Sequence, residues 1–77
     1  MQNNHSQTDT MRMLKLRDVT SKCQISRSTI YDKLDQKSKR YDPDFPKPRK
    51  LGMNSVAWVE NEVEHWLKNL PCQCMAI

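Results

Sequence analysis

The chain has 77 residues, with thirteen Lys or Arg against nine Asp or Glu, a formal net charge of +4, 36% apolar residues and 6% aromatic ones. A chain of this length forms one small domain with a shallow core, because a domain of about 60 residues buries only about 60% of the surface its unfolded chain exposes. One glycine and two separated histidines, His5 and His65, assemble neither a glycine-rich phosphate loop nor a Ser, His and Asp set, so an enzyme is not expected.

The charge is unevenly spread. From Arg12 to Lys50 there are twelve Lys and Arg against five Asp, whereas Leu51 to Ile77 holds Lys68 against Glu60, Glu62 and Glu64. A concentrated cationic stretch beside an acidic one points to a polyanion partner, the plainer reading being solvation of a small surface. The three cysteines, Cys23, Cys72 and Cys74, are an odd number, with two in a Cys-Gln-Cys tail, which does not make a disulfide scaffold. A zinc site would have to recruit His5 from a polar stretch and His65 from a helical pattern, so no metal or other cofactor is expected. No apolar run approaches the about 20 residues a membrane span needs.

Along the chain, residues 1–11 read as a disordered polar arm, rich in amides and hydroxyls and without apolar periodicity. Met11 to Leu16 reads as a short strand or extended lead-in with Leu14 and Leu16 on one face. Asp18 to Cys23 makes about one and a half helical turns, with Asp18 favourable in the first turn, Lys22 in the last, and Val19 and Cys23 sharing a face. After Gln24-Ile25 comes Ser26, a good N-cap, and then Arg27-Ser28-Thr29-Ile30-Tyr31-Asp32-Lys33-Leu34. Ile30 and Leu34 turn inward, leaving Arg27, Ser28, Thr29 and Lys33 on the open side and Tyr31 at the boundary.

Two helices joined by a three-residue turn, the second capped by Ser and opening with Arg, have the layout of a helix-turn-helix. Free donors at the second helix's N-terminus suit a phosphate, and short polar side chains in its first turn reach base edges in a major groove. An ordinary helical corner with a wet polar face has the same pattern. Asp35 to Asp44 is polar and carries Lys37; it reads as a helix tail and loop. Phe45-Pro46-Lys47-Pro48-Arg49-Lys50-Leu51 is extended by its prolines, Gly52 to Ser55 turns, and Val56-Ala57-Trp58 returns as a second strand. The hairpin is a basic wing carrying Lys47, Arg49 and Lys50. Val59 to Leu70 reads as a helix whose stripe of Val59, Val63, Trp66, Leu67 and Leu70 faces the core, stopped by Pro71. Residues 12–70 are thus the domain, and 71–77 a flexible tail.

The ordered set Leu14 to Leu16, Ile25-Ser26-Arg27-Ser28-Thr29-Ile30-Tyr31, Phe45-Pro46-Lys47-Pro48 with Leu51-Gly52, Ser55-Val56-Ala57-Trp58, and Glu62-Val63-Glu64-His65-Trp66-Leu67 closely resembles the AlpA family of prophage and genomic-island regulators. The resemblance covers about residues 13 to 70. It implies a small α+β fold, a MerR-like winged helix-turn-helix of about three helices and a two-stranded hairpin wing. It implies a sequence-specific protein of a mobile element that binds double-stranded DNA in the bacterial cytoplasm, as recombination directionality factor (excisionase), as activator of an integrase gene, or both. Ser26 through Lys33 would be the recognition helix and Lys47 through Ser55 the wing, so the expected DNA-binding residues are Ser26, Arg27, Ser28, Thr29, Tyr31, Lys33, Lys37, Lys47, Arg49, Lys50, Asn54 and Ser55. Phe45, Trp58 and Trp66 match core positions of the family. An integrase and neighbouring copies on DNA are further candidate partners.

Two departures from the family pattern are visible. Gln24 stands where the family often has glycine, and Asp35 to Asp44 is longer than the tightest members need. A competing reading is a protein-interaction subunit that uses the acidic face of Glu60, Glu62 and Glu64 without touching DNA.

Overall fold

The computed structural model describes residues 11–73; the arm expected over 1–11 lies outside them except for Met11, as does Cys74 in the tail. The order is β1 (Met13–Leu14), α1 (Leu16–Cys23), α2 (Arg27–Leu34), β2 (Arg49–Gly52), β3 (Ser55–Val59) and α3 (Glu60–Lys68). The α+β expectation holds: β2 and β3 form the two-stranded hairpin, and the lead-in strand β1 adds to it in one sheet, ordered β1-β3-β2 and antiparallel throughout. Met13 pairs with Val59 and Leu14 with Trp58, and the Glu60 N–H continues the ladder to the Arg12 carbonyl at 2.8 Å.

The lead-in is shorter than expected, and Leu16 belongs to α1 instead of a strand face. Lys15 is extended (φ −80°, ψ 170°), and the Asp18 carboxylate accepts its backbone N–H at 3.0 Å, so a free donor is satisfied at the helix start. α1 ends at Gln24, whose φ of 57° and ψ of 42° are left-handed. The turn keeps the geometry that glycine favours, with Gln accepting the strain. α2 begins as expected: the Ser26 Oγ accepts the Thr29 N–H at 3.1 Å.

The third helix is shorter at both ends than its apolar period suggests. Val59 is buried as the last residue of β3 and precedes α3, while Leu70 lies beyond the helix and is exposed. The core is formed by Leu14, Val19, Ile30, Phe45, Trp58, Val63 and Trp66, with Leu16, Cys23, Ile25, Leu34 and Leu67 packed around it. Burying large side chains such as these contributes about 1.5 to 3 kcal/mol each, a large share of a small domain's stability.

The loop from α2 to the wing folds on its own hydrogen bonds. Carboxylates of Asp35 and Asp42 accept the N–H groups of Lys37 and Asp44, both at 2.9 Å, and the Asp42 N–H returns to the Lys33 carbonyl at 3.0 Å. It is then pinned to the core: the Trp58 indole donates to the Pro46 carbonyl at 3.0 Å, and Phe45 meets Trp66 edge to face at 4.8 Å. This anchoring sets the distance between α2 and the hairpin. Among the described residues no helix is long and apolar enough to cross a membrane.

Candidate nucleic-acid interface

The first turn of α2 projects its polar side chains outward because Ile30 is wholly buried on the other side. Arg27 and Ser28 are exposed. Ser26, besides capping the helix, shares hydroxyl hydrogen bonds with Ser28 at 3.2 Å and Thr29 at 2.8 Å. These three hydroxyls form a small network, while Arg27 has the reach to leave the surface. Tyr31 is half exposed, at 51%, further from the core than its boundary position suggests.

Arg27 faces a groove of about 740 Å³ that is also lined by Lys15 and Arg17 from the start of α1 and by Asn54, Ser55 and Val56 from the wing. Lys15 ties the start of α1 to the wing, its Nζ donating to the Ser55 Oγ at 3.1 Å. Helix and wing residues far apart in sequence thus meet around one cationic groove without a carboxylate in its lining. Lys15 and Arg17 were not singled out from the sequence. The signal was the two cations flanking the true helix start, which the extended reading of Met11 to Leu16 concealed.

The register of the hairpin divides the wing cations. Lys50 pairs with Val56 and Arg49 with Ala57, and residues directly opposite in an antiparallel pair share a face. Lys50 therefore lies on the face of Val56, which lines the Arg27 groove. Arg49 lies on the other face and is ion-paired with Glu62 of α3. Lys47 and Arg49 line a second groove, of about 580 Å³, together with Glu62 and His65. The twelve expected residues thus fall into separate places: Arg27, Asn54 and Ser55 come together, Lys47 and Arg49 are on another side, and Lys37 lies in the turns after α2 outside both grooves. Lys33 is turned away from the open side, with its Nζ 5.4 Å from the centre of the Trp66 ring.

The acidic residues of α3 are engaged within the molecule. Lys22 Nζ contacts the Glu60 carboxylate at 3.3 Å and that of Glu64 at 3.0 Å, and Arg12 lies 3.7 Å from Glu60. Hydrogen bonding to Glu64 and Glu60 raises the Lys22 pKa above its ordinary value, and the same bond from Lys22 holds the Glu64 carboxyl low. With Glu62 on Arg49, all three glutamates have an internal cation.

The family whose model matches this sequence, described as prophage CP4-57 regulatory protein (AlpA), aligns with residues 12–72. The chain belongs to the AlpA family. The chain is 51% identical over 57 residues to "DNA-binding transcriptional activator AlpA" of Escherichia coli (strain K12), covering 74% of this chain and 81% of the relative. It is 36% identical over 56 residues to "Uncharacterized protein ORF88" of Enterobacteria phage P4, covering 73% of this chain and 57% of that protein. No solved structure matches. The AlpA match spans every helix and strand described above, so the groove around Arg27 and the anchored loop both lie inside the family domain.

Proposed function

We propose that this AlpA-family chain is a DNA-binding transcriptional regulator of a mobile element. The observation that carries the reading is the groove that joins Arg27 of α2, Lys15 and Arg17 of α1 and Asn54 and Ser55 of the wing. In this reading α2 enters the major groove, with Arg27 reading a base edge and Ser28 and Tyr31 beside it. Lys15, Arg17 and Lys50 hold phosphates, and these contacts set register and affinity without reading sequence. The E. coli relative's description as a DNA-binding transcriptional activator supports the same reading.

Two finer roles belong to the proposal: activation of an integrase gene, and action as a recombination directionality factor that assists excision. A single module buries only about 600 to 1,000 Å² on DNA, so neighbouring copies or an integrase on adjacent sites would supply the remaining affinity. Against the protein-interaction alternative stands the pairing of Glu60, Glu62 and Glu64 with Arg12, Lys22 and Arg49 within the molecule.

Footprinting and gel shifts on the element's attachment-site and integrase-promoter DNA, beside an excision assay with purified integrase, test the proposal. Protection of specific sites is expected, with stimulated excision. Equal affinity for random and specific duplex would refute the regulator reading, and protection without stimulated excision would leave transcription control alone.

A further inference from the structure

The tip of the wing is more apolar than its solvent position requires. Met53 is 88% exposed, Leu51 53% and Val56 43%, all on one hairpin whose β2 strand is exposed along its length. Single exposed apolar residues need no explanation. Three within six residues, beside Lys50 and next to the groove of Lys15, Arg17 and Arg27, form an apolar point on a cationic flank. The partner that complements such a surface has anionic rims and an apolar interior, which is the arrangement of phosphates and stacked bases in duplex DNA.

Dimensions decide which part of the duplex receives the tip. The minor groove is about 6 Å wide and the major groove about 12 Å, whereas paired strands stand about 4.8 Å apart before their side chains are counted. A whole hairpin does not enter a 6 Å groove. One unbranched, flexible thioether does. With α2 in the major groove, the wing, whose Ser55 accepts from Lys15 at the start of α1 and which lines the same cleft as Arg27 of α2, reaches the groove alongside.

We infer that Met53 is an apolar wedge that enters the DNA minor groove between two base pairs and bends the duplex, an inference that rests on the DNA-binding reading above. Val56 covers the rim of the opened step, and Lys50 on the same face binds a phosphate beside it. Insertion of such a side chain partly unstacks the step and kinks DNA by about 20 to 90° towards the major groove. Pyrimidine–purine steps unstack most easily, so part of the target preference arises at a step that no polar side chain reads.

The test uses the full chain and its Met53→Ser and Met53→Leu variants on one duplex with a single footprinted site and another with two adjacent sites. The bend angle is read on the single-site duplex by fluorescence energy transfer between its ends, and occupancy is read on both. The parent and Met53→Leu are expected to bend the duplex. Met53→Ser is expected to lose the bend and the parent's preference for a duplex mismatched at the wedged step, while keeping the melting temperature and the salt slope of binding. Equal bending by Met53→Ser overturns the wedge and leaves DNA binding standing. Loss of occupancy only at a second, adjacent site, with the single-site bend intact, also overturns it and assigns the tip to a neighbouring copy. A parent that binds no duplex sinks both the wedge and the reading on which it rests.

Discussion

The indole Nε1 of Trp66 donates to the Asp42 carboxylate at 2.9 Å, tying α3 to the loop that connects α2 with the wing. Burial pushes the Asp42 carboxyl up, but hydrogen bonds from Trp66, Asp44 and Phe45 and the charge of Lys33 outweigh it and hold the group below its ordinary value. A carboxyl held low in the folded state stabilises the fold above its unfolded pKa of about 4, and that stability is lost as pH falls through the folded value. Thermal melts from pH 7 to pH 2 are expected to show the loss beginning near pH 5 and to show a weaker dependence in Asp42→Asn. Asp42→Ala, which leaves the Trp66 donor without its partner, is expected to cost about 1 to 3 kcal/mol. Parallel pH profiles for parent and Asp42→Asn would show that another group carries the acid transition.

Gln24 gives the second prediction. A side chain with a β-carbon in the left-handed region costs about 1 to 2 kcal/mol relative to glycine, part of which glycine returns through its more flexible unfolded chain. Gln24→Gly is therefore expected to gain about 1 kcal/mol, or about 4 to 8 °C in melting temperature for a domain of this size. Gln24→Val should lose stability, since a β-branched residue tolerates positive φ poorly. A drop in melting temperature for the glycine variant would mean that the turn is not left-handed in solution.

The helix-turn-helix was legible because its signals are local: the Ser26 hydroxyl caps α2, and Ile30 and Leu34 mark its inner face. The lead-in was legible as an extended segment over Met11 to Leu16, but its length and its place in the sheet were not, because Met13 and Leu14 are fixed by pairing with Val59 and Trp58. Val59 fitted both the end of a strand and the start of an apolar helical stripe, and pairing decided for the strand. In the candidate site, the types and number of cations were readable, but their partners depend on tertiary neighbours. Lys33 found Trp66 and Arg49 found Glu62, whereas Lys15 and Arg17 reached the groove by starting a helix where an extended segment was expected.

The groove yields a prediction with two signatures. Arg27→Ala is expected to cost about 1 to 3 kcal/mol on the specific site and to relax preference at the base it reads. Arg17→Ala is expected to weaken specific and random duplex alike and to lower the salt slope by about 0.9, the share of a single neutralised phosphate. Titrations of both duplexes over a range of salt concentrations separate the two. If Arg27→Ala binds both duplexes as the parent does, α2 is not the reading helix.

The ion pair between Arg49 and Glu62 makes the last prediction, which separates two neighbouring wing cations that look equivalent in sequence. Lys50 lies on the face of Val56 and the Arg27 groove, while Arg49 lies on the opposite face and faces α3. Lys50→Ala is therefore expected to lower the salt slope by about 0.9, whereas Arg49→Ala should leave it nearly unchanged. Arg49 is more than half exposed, at 54%, and exposed pairs contribute only about 0 to 1 kcal/mol, so its removal should barely move the melting temperature. Glu62→Gln frees the guanidinium and removes a negative charge, and is expected to strengthen binding to all duplexes without changing which sequence is preferred. The double variant Glu62→Gln with Arg49→Ala should forfeit the part of that gain due to the freed guanidinium. Equal reductions in slope for Arg49→Ala and Lys50→Ala would show instead that Arg49 leaves Glu62 for a phosphate when DNA arrives, and that both faces of the hairpin touch the duplex.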